Sequence, residues 1–502
     1  MTKSGGRRMA TLVVLLSVVL AGCAAPMADA GGVDGPTDGR ATGERTLEVH
    51  GDLPLDANAT FERVQALLAV DLRPPTVYVD DPIERPPRAI QDPSSFYAVM
   101  GIPAPDPTDG AEELRVGGVS SAMQAVYLLP ETDASPAAIE QVFVHELVHT
   151  AQFQRGAPRR VQATIPAEHR GTTDARLTVT SLIEGSAVYV SSAYTEAYDL
   201  PVTPEDDLLE SLYPNANPGT RLSWGPYHHG GRYVATAADS PATHWSVYET
   251  PPVTMQEVRR GEPAIASGEA ELEPFGIDVD ADAESADWES DPARTDVVGS
   301  FVLEQVLATE LAPDTARDAA AGWSYDRVRR FSSEEVVAGD GDSDSGDGAD
   351  GYVWAIRFED ESNTSLATDA MATALERRAT SLEVESETDA ANRTATTTRW
   401  RTEVYAFSLE QADDRTLVLF AGDEAFVESV SLEGVSATGD VQVALDERDS
   451  TASSVDSSRR LSSSGSIEPV EPAVRPAQPS PGDALQGVRE LARDAVLAGG
   501  VR

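Results

Sequence analysis

A single cysteine, Cys23, stands in 502 residues, so no internal disulfide can form and the fold must rest on packing and hydrogen bonding. Lysine is as scarce: Lys3 is the only one, and every other basic residue is arginine. The 38 basic residues face 84 acidic ones, for a formal net charge of -46. Such a surface repels nucleic acid at neutral pH and argues against it as a partner. At low salt the self-repulsion opposes compaction, whereas at molar salt the Debye length shrinks to about 3 Å and the repulsion is screened. The composition is that expected of a protein built for high salt. A disordered acidic chain is the plain alternative. It is set aside because 41% of the residues are hydrophobic and apolar positions recur with regular spacing.

The N-terminal apolar run, Leu12 to Leu20, is too short to span a bilayer comfortably. Arg7 and Arg8 precede it, and Leu20-Ala21-Gly22-Cys23 follows. This pattern predicts a lipoprotein signal peptide over 1–22, cleavage before Cys23 and lipidation of its thiol. The twin arginine points to export in a folded state. The expected location is the extracellular face of the cell membrane, with the membrane as a partner through Cys23. An ordinary signal peptide that happens to hold a cysteine is the alternative.

Residues 23–48, rich in Gly, Ala, Asp and Thr, read as a flexible tether. From 49 to 262 strand-like and helix-like segments alternate, giving an α+β fold class. Phe61, Val64, Leu67 and Leu68 have helical spacing, and Pro75–Val79 and Gln124–Leu129 read as strands. Ser135-Pro136 then predicts a helix start, with serine as N-cap and proline at the first helical position, and the helix runs to about Gln154. Residues 263–296 read as a solvated acidic linker. Residues 297–450 form a second helical and α+β region, with a helix from Val297, strands at Tyr352–Phe358, Trp400–Phe407 and Thr416–Phe420, and a helix at Leu366–Arg378. The acidic run 340–350 resembles a calcium loop in its alternating Asp340, Asp342 and Asp344. Ser345 and Gly351 stand where glycine and glutamate are needed, so a surface loop is expected. Residues 451–502 are a Ser/Pro-rich tail without core-forming content, apart from a short amphipathic stretch at Leu485–Leu497.

Histidine is also rare, seven in the chain, and two of the seven form His145-Glu146-Leu147-Val148-His149. On a helix His145 and His149 share one face, about 5–6 Å apart at Cβ, so two imidazoles can reach one Zn²⁺. Glu146 lies about 100° further round the axis, placed to act on a metal-polarised water as general base and not as a third ligand. The third ligand is expected to be Glu184, on a predicted helix from Asp174 to Tyr194, with Gly185 allowing close helix approach. His169, Glu168 and Asp174 are the alternatives. Two histidines in a satisfied core pair, with Glu146 an exposed helix residue, are the bland reading.

Val144 to Gln152 (Val-His-Glu-Leu-Val-His-Thr-Ala-Gln), with Asp174-Ala175-Arg176 leading into Leu182-Ile183-Glu184-Gly185-Ser186-Ala187, resembles the gluzincin type of zinc metallopeptidase. In particular it is similar to secreted or lipid-anchored prokaryotic zincin-like proteins, and over roughly residues 85 to 435 to haloarchaeal surface lipoproteins of unknown activity. The resemblance continues at Gly225–Val234, Ala321–Arg327 and Tyr352–Phe358. It implies a zincin-like domain over 49–262, a zinc cofactor and hydrolysis of a protein or peptide substrate. Thr150 and Ser186 depart from the usual alanine and aspartate, and Val188 stands where some gluzincins place a histidine-orienting acid. Gluzincins often use a tyrosine or histidine to stabilise the oxyanion. The cluster Tyr227, His228 and His229 supplies candidates, with His228 placed ahead of Tyr227 and with Gly230-Gly231 permitting a tight backbone; His244 is a more distant one. The strand at 124–129 is expected to pair with an extended substrate, by analogy with zincins. Two further readings compete: a zincin-fold binding or scaffold protein with weak or lost activity, and zinc-dependent hydrolysis of a non-peptide bond.

Overall fold

The structure, a computed structural model, describes residues 46–79, 95–106, 116–121, 124–130, 133–280, 288–290, 295–333, 349–388 and 394–445. The expected signal segment with Cys23, the acidic run at 340–348, and the tail with its short amphipathic stretch lie outside them. The fold class is mixed α+β, as the alternation of segments predicts.

The N-terminal part is built on a four-stranded sheet of order β1-β2-β4-β3. β1 (Glu48–His50), β2 (Thr76–Val79) and β4 (Ala125–Pro130) run parallel, and β3 (Val116–Ser121) is antiparallel to β4. Parallel neighbours need a crossover, and α1 (Ala57–Leu68) supplies it between β1 and β2. Asp56 caps α1 by accepting the Ala59 N–H at 3.1 Å. After the short α2 (Ser95–Val99) and the β3–β4 hairpin comes α3 (Pro136–Arg155). It begins where the sequence predicts: the Ser135 hydroxyl accepts the Ala138 N–H at 3.1 Å, and Pro136 occupies the first turn. The helix ends at Gly156, whose φ of 68° is the left-handed conformation of a helix C-cap. Strand alternation sends Val77, Val79, Val126 and Leu128 to the face that buries Phe143, Val144, Leu147 and Val148 of α3.

Four helices follow: α4 (Ala157–Thr164), α5 (Thr173–Ala197), α6 (Glu205–Leu212) and α7 (Pro218–Ala237). Gly230-Gly231, expected to permit a tight backbone, lies inside α7, where α7 crosses α5. A Cβ on Gly230 would stand 2.0 Å from the Ser181 carbonyl oxygen, and one on Gly185 would stand 2.1 Å from the Gly230 carbonyl carbon. The glycines therefore serve close helix approach, which Gly185 was expected to do from its side.

α8 (Met255–Arg260), α9 (Ala264–Ser267), β5 (Ile277–Val279) and β6 (Thr295–Asp296) lead into the C-terminal part. Residues 263–296, read as a solvated linker, contribute Phe275, Ile277 and Trp288 to the core, and β5 pairs in parallel with β14 (Val441–Leu445). After α10 (Gly299–Leu307) and α11 (Pro313–Ala320) comes a seven-stranded antiparallel sheet of order β6-β7-β8-β12-β11-β10-β9. Its further strands are β7 (Trp323–Ser333), β8 (Ala349–Phe358), β9 (Ser381–Thr388), β10 (Thr394–Arg401), β11 (Ala406–Asp413) and β12 (Thr416–Gly422). β12 is buried at every position, the pattern of a strand covered on both faces. α12 (Glu361–Arg378) packs on β8 and β12, and α13 (Glu424–Ser429) drives Phe426 against Trp288 and Phe331. β13 (Val430–Val435) completes the small sheet with β14 and β5. The single strand expected at Trp400–Phe407 is instead the turn of a hairpin: β10 ends at Arg401 and β11 begins at Ala406. All described residues fall in one compact unit that ends at Arg448. Among them no helix is long and apolar enough to cross a membrane.

Candidate metal centre

α3 presents His145 and His149 one turn apart, their ring centroids 4.8 Å from each other. α5 packs across α3 and brings Glu184 between them. The Glu184 Oε2 atom lies 3.3 Å from His145 Nε2 and 3.2 Å from His149 Nε2. One ligand atom from each of the three residues falls within 4.8 Å of the others. Donors sharing one tetrahedral zinc at about 2.1 Å would stand roughly 3.4 Å apart, so these separations suit a common metal. The donor set of two imidazoles and a carboxylate also suits zinc. Glu184 Oε1 is buried with no hydrogen-bond partner among the described residues, as a ligand oxygen awaiting a cation would be.

The far side of each imidazole is held by an acceptor. His145 Nδ1 lies 3.0 Å from Glu205 Oε2, which also accepts the Ser191 hydroxyl at 2.5 Å. His149 Nδ1 lies 2.7 Å from Gln152 Oε1, and the Gln152 amide donates to the Ile183 carbonyl at 2.7 Å and to the Tyr248 hydroxyl at 2.9 Å. An acceptor at Nδ1 favours the proton there, so that in the neutral ring the Nε2 lone pair is directed at the shared point. Burial disfavours charge on all of these groups. Even so, Glu205 and Glu184 raise His145 well above its usual range, and Glu184 raises His149. Against the same burial, His149 and His145 hold the Glu184 carboxyl down to about 2.

Glu146 sits beside the cluster without joining it. Its Oε2 is buried with no partner among the described residues, and burial raises its pKa while the two imidazoles oppose the shift. β3 lies directly over it: a Cβ on Gly118 would stand 2.5 Å from Glu146 Oε1, and the Ser120 hydroxyl donates to the Glu146 carbonyl at 2.8 Å.

Of the aromatic cluster on α7, one member faces the site. The Tyr227 ring lies 6.3 Å from that of His145, nearly parallel to it. Burial, then Glu184, Glu146 and Glu205, push its phenol well above the usual range, so it stays neutral. Successive residues turn by about 100° on a helix, and His228, placed first by sequence, is carried away from the candidate ligands. It stacks on Tyr213 at 4.2 Å, with Nδ1 3.8 Å from Glu210. His229 meets the Tyr213 hydroxyl at 3.0 Å, and His244 meets the Pro241 carbonyl at 2.6 Å. The alternative third ligands are also accounted for: His169 pairs with Asp174 at 3.0 Å, and Glu168 is exposed.

Sequence reasoning missed Glu205 and the roles of Gln152 and Gly118. Gln152 had a signal, since i, i+3 places it beside His149 on the same helix. Glu205 had none, because it reaches His145 across space from another helix.

The profile of a domain of unknown function, DUF8575, matches residues 289–431. No curated protein and no solved structure matches the chain. All three candidate ligands lie outside the matched segment.

Proposed function

We infer that this chain is a zinc-dependent peptidase of the gluzincin type, with a zincin-like N-terminal part, acting on protein or peptide substrates. In this reading it is exported by the twin-arginine route and held on the extracellular face of the membrane by lipidated Cys23, in a saline medium. The observation that carries the catalytic part is the convergence of His145, His149 and Glu184, with Glu146 beside them and its Oε2 without a hydrogen-bond partner among the described residues.

Zinc bound there would polarise the scissile carbonyl and acidify a water. Glu146 takes the proton of the attacking water and delivers it to the leaving amine; its raised pKa suits a group that must do both. Tyr227, kept neutral, donates a hydrogen bond to the oxygen that gains charge. Glu205 and Gln152 keep the imidazoles in register. The expected pairing of substrate with the strand at 124–129 moves by one strand. β4 is already paired on both sides, by β2 and β3, and among the described residues β3 is the edge of the sheet next to Gly118 and Glu146, the one an extended peptide would join.

One observation favours the scaffold reading. His145, Glu146, His149 and Glu184 are each 3% exposed or less, so the centre is closed to a bulky substrate as it stands. The two readings separate on Glu146→Gln in the full chain at multimolar salt. The peptidase reading expects one zinc in both proteins and cleavage of an unstructured protein by the wild type alone. Equal absence of cleavage with zinc in both would leave the scaffold.

A further inference from the structure

A buried polar knot lies at the start of α5, about 15 Å along the helix from Glu184. Asp326 of β7 is fully buried there. Its Oδ1 accepts the Gly299 N–H at 3.1 Å, and its Oδ2 accepts the Val298 N–H at 3.2 Å and the Trp354 indole N–H at 2.7 Å. The same turn grips α5 from the other side. The Asp174 N–H donates to the Val297 carbonyl at 2.9 Å, and the backbone and hydroxyl of Thr173 both donate to Asp296, at 2.7 and 2.6 Å. The Asp174 carboxylate closes on Gly299 so tightly that a Cβ there would stand 2.1 Å from Oδ1. His169 and the Met255 N–H secure that carboxylate at 3.0 and 3.3 Å.

Burying two carboxyl groups against one turn is costly, and apolar side chains would fill the space more cheaply. What the polar arrangement adds is direction, because each hydrogen bond fixes an angle as well as a distance. α5 needs that direction. Its glycine crossing with α7 lies one residue past Glu184, and glycines resist rolling about the helix axis weakly because they present no side chain. A carboxylate oxygen about 6 Å from a helix axis moves roughly 2 Å for a 20° roll, enough to undo separations of 3.2 and 3.3 Å.

We propose that Asp326 is a positioning residue: through the Val298–Gly299 turn and Asp174 it fixes the roll of α5 and so the reach of Glu184 to the metal. The proposal rests on the metal reading above. It gives the segment matched by DUF8575 a task within this chain, as the wall that aligns a ligand helix lying outside that segment.

The test uses the full chain at multimolar salt with Co²⁺ as the probe, reading affinity and the visible absorption of the bound ion. Asp326→Asn keeps the shape and loses an acceptor; Trp354→Phe is the milder variant, removing one donor. Val418→Ala, buried in the same sheet, controls for lost stability. Both knot variants are expected to weaken Co²⁺ about threefold to thirtyfold and to change its absorption, with the control unchanged at a similar melting temperature. Wild-type affinity and absorption in both knot variants would overturn the proposal, as would an equal loss in the control. No bound Co²⁺ in the wild type would overturn the metal reading and this proposal with it.

Discussion

Replacing Gly185 by alanine should injure the metal centre and the fold together. The added Cβ would stand 2.1 Å from the Gly230 carbonyl carbon, where ordinary carbon contacts are about 3.5–4.0 Å. Backbone blocks it, so α5 and α7 must part by roughly 1.5 Å. Overpacking of this kind costs about 1–3 kcal/mol, and alanine's better helix propensity returns at most about 1 kcal/mol. Because the displaced residue adjoins Glu184, zinc affinity should fall at least about tenfold, the range seen when support around a ligand is lost. Gly231→Ala is the internal comparison. Its Cβ would meet Val188 Cγ1 at 3.2 Å, a side-chain atom that can move by a few tenths of an ångström, so little loss is expected. Thermal melts and zinc titrations at multimolar salt read both effects. If Gly185→Ala melted and bound zinc like the wild type, the described crossing would be wrong.

Glu205→Gln should weaken zinc about tenfold with little change in fold, measured by competition with a chelator, because it removes the charged acceptor at His145 Nδ1. Tyr227→Phe should lower kcat by about two orders of magnitude or more and leave zinc binding intact, whereas His228→Ala should leave kcat near that of the wild type. Burial raises the Asp326 carboxyl from 3.8 to about 7, so the folded protein binds a proton there that the unfolded chain has lost. Its contribution is therefore fully present below about pH 4 and declines as pH rises to about 7, by up to roughly 4 kcal/mol. Relative to the wild type, Asp326→Asn should flatten denaturant-measured stability across that window.

How far the sequence carried varies element by element. Ser135-Pro136, the two histidines one turn apart, and Glu184 on a second helix were readable because each depends on spacing within one segment. Gly230-Gly231 was not, since a glycine pair looks the same in a turn and in a helix crossing, and only Ser181 and Gly185 opposite decide. The choice between Tyr227 and His228 needed the phase of α7, which follows once the helix is known. The hairpin within Trp400–Phe407 hides because its loop, 402–405, holds no glycine or proline; the Thr402 hydroxyl makes the turn by accepting the Tyr405 N–H at 2.9 Å. Phe275, Ile277 and Trp288 are sparse in an acidic stretch, so their burial depends on a sheet and a helix that follow in sequence. Glu205 illustrates the general limit: a side chain that supports a ligand from another helix leaves no periodic trace.

The metal centre is tested most directly by X-ray absorption at the zinc edge, on the full chain titrated with zinc at multimolar salt. One zinc per chain is expected, bound by two imidazole nitrogens and by oxygen at about 2.0–2.1 Å, with the site abolished in His149→Ala. A wild-type chain that binds no zinc under these conditions, or a zinc shell without two imidazoles, would contradict it.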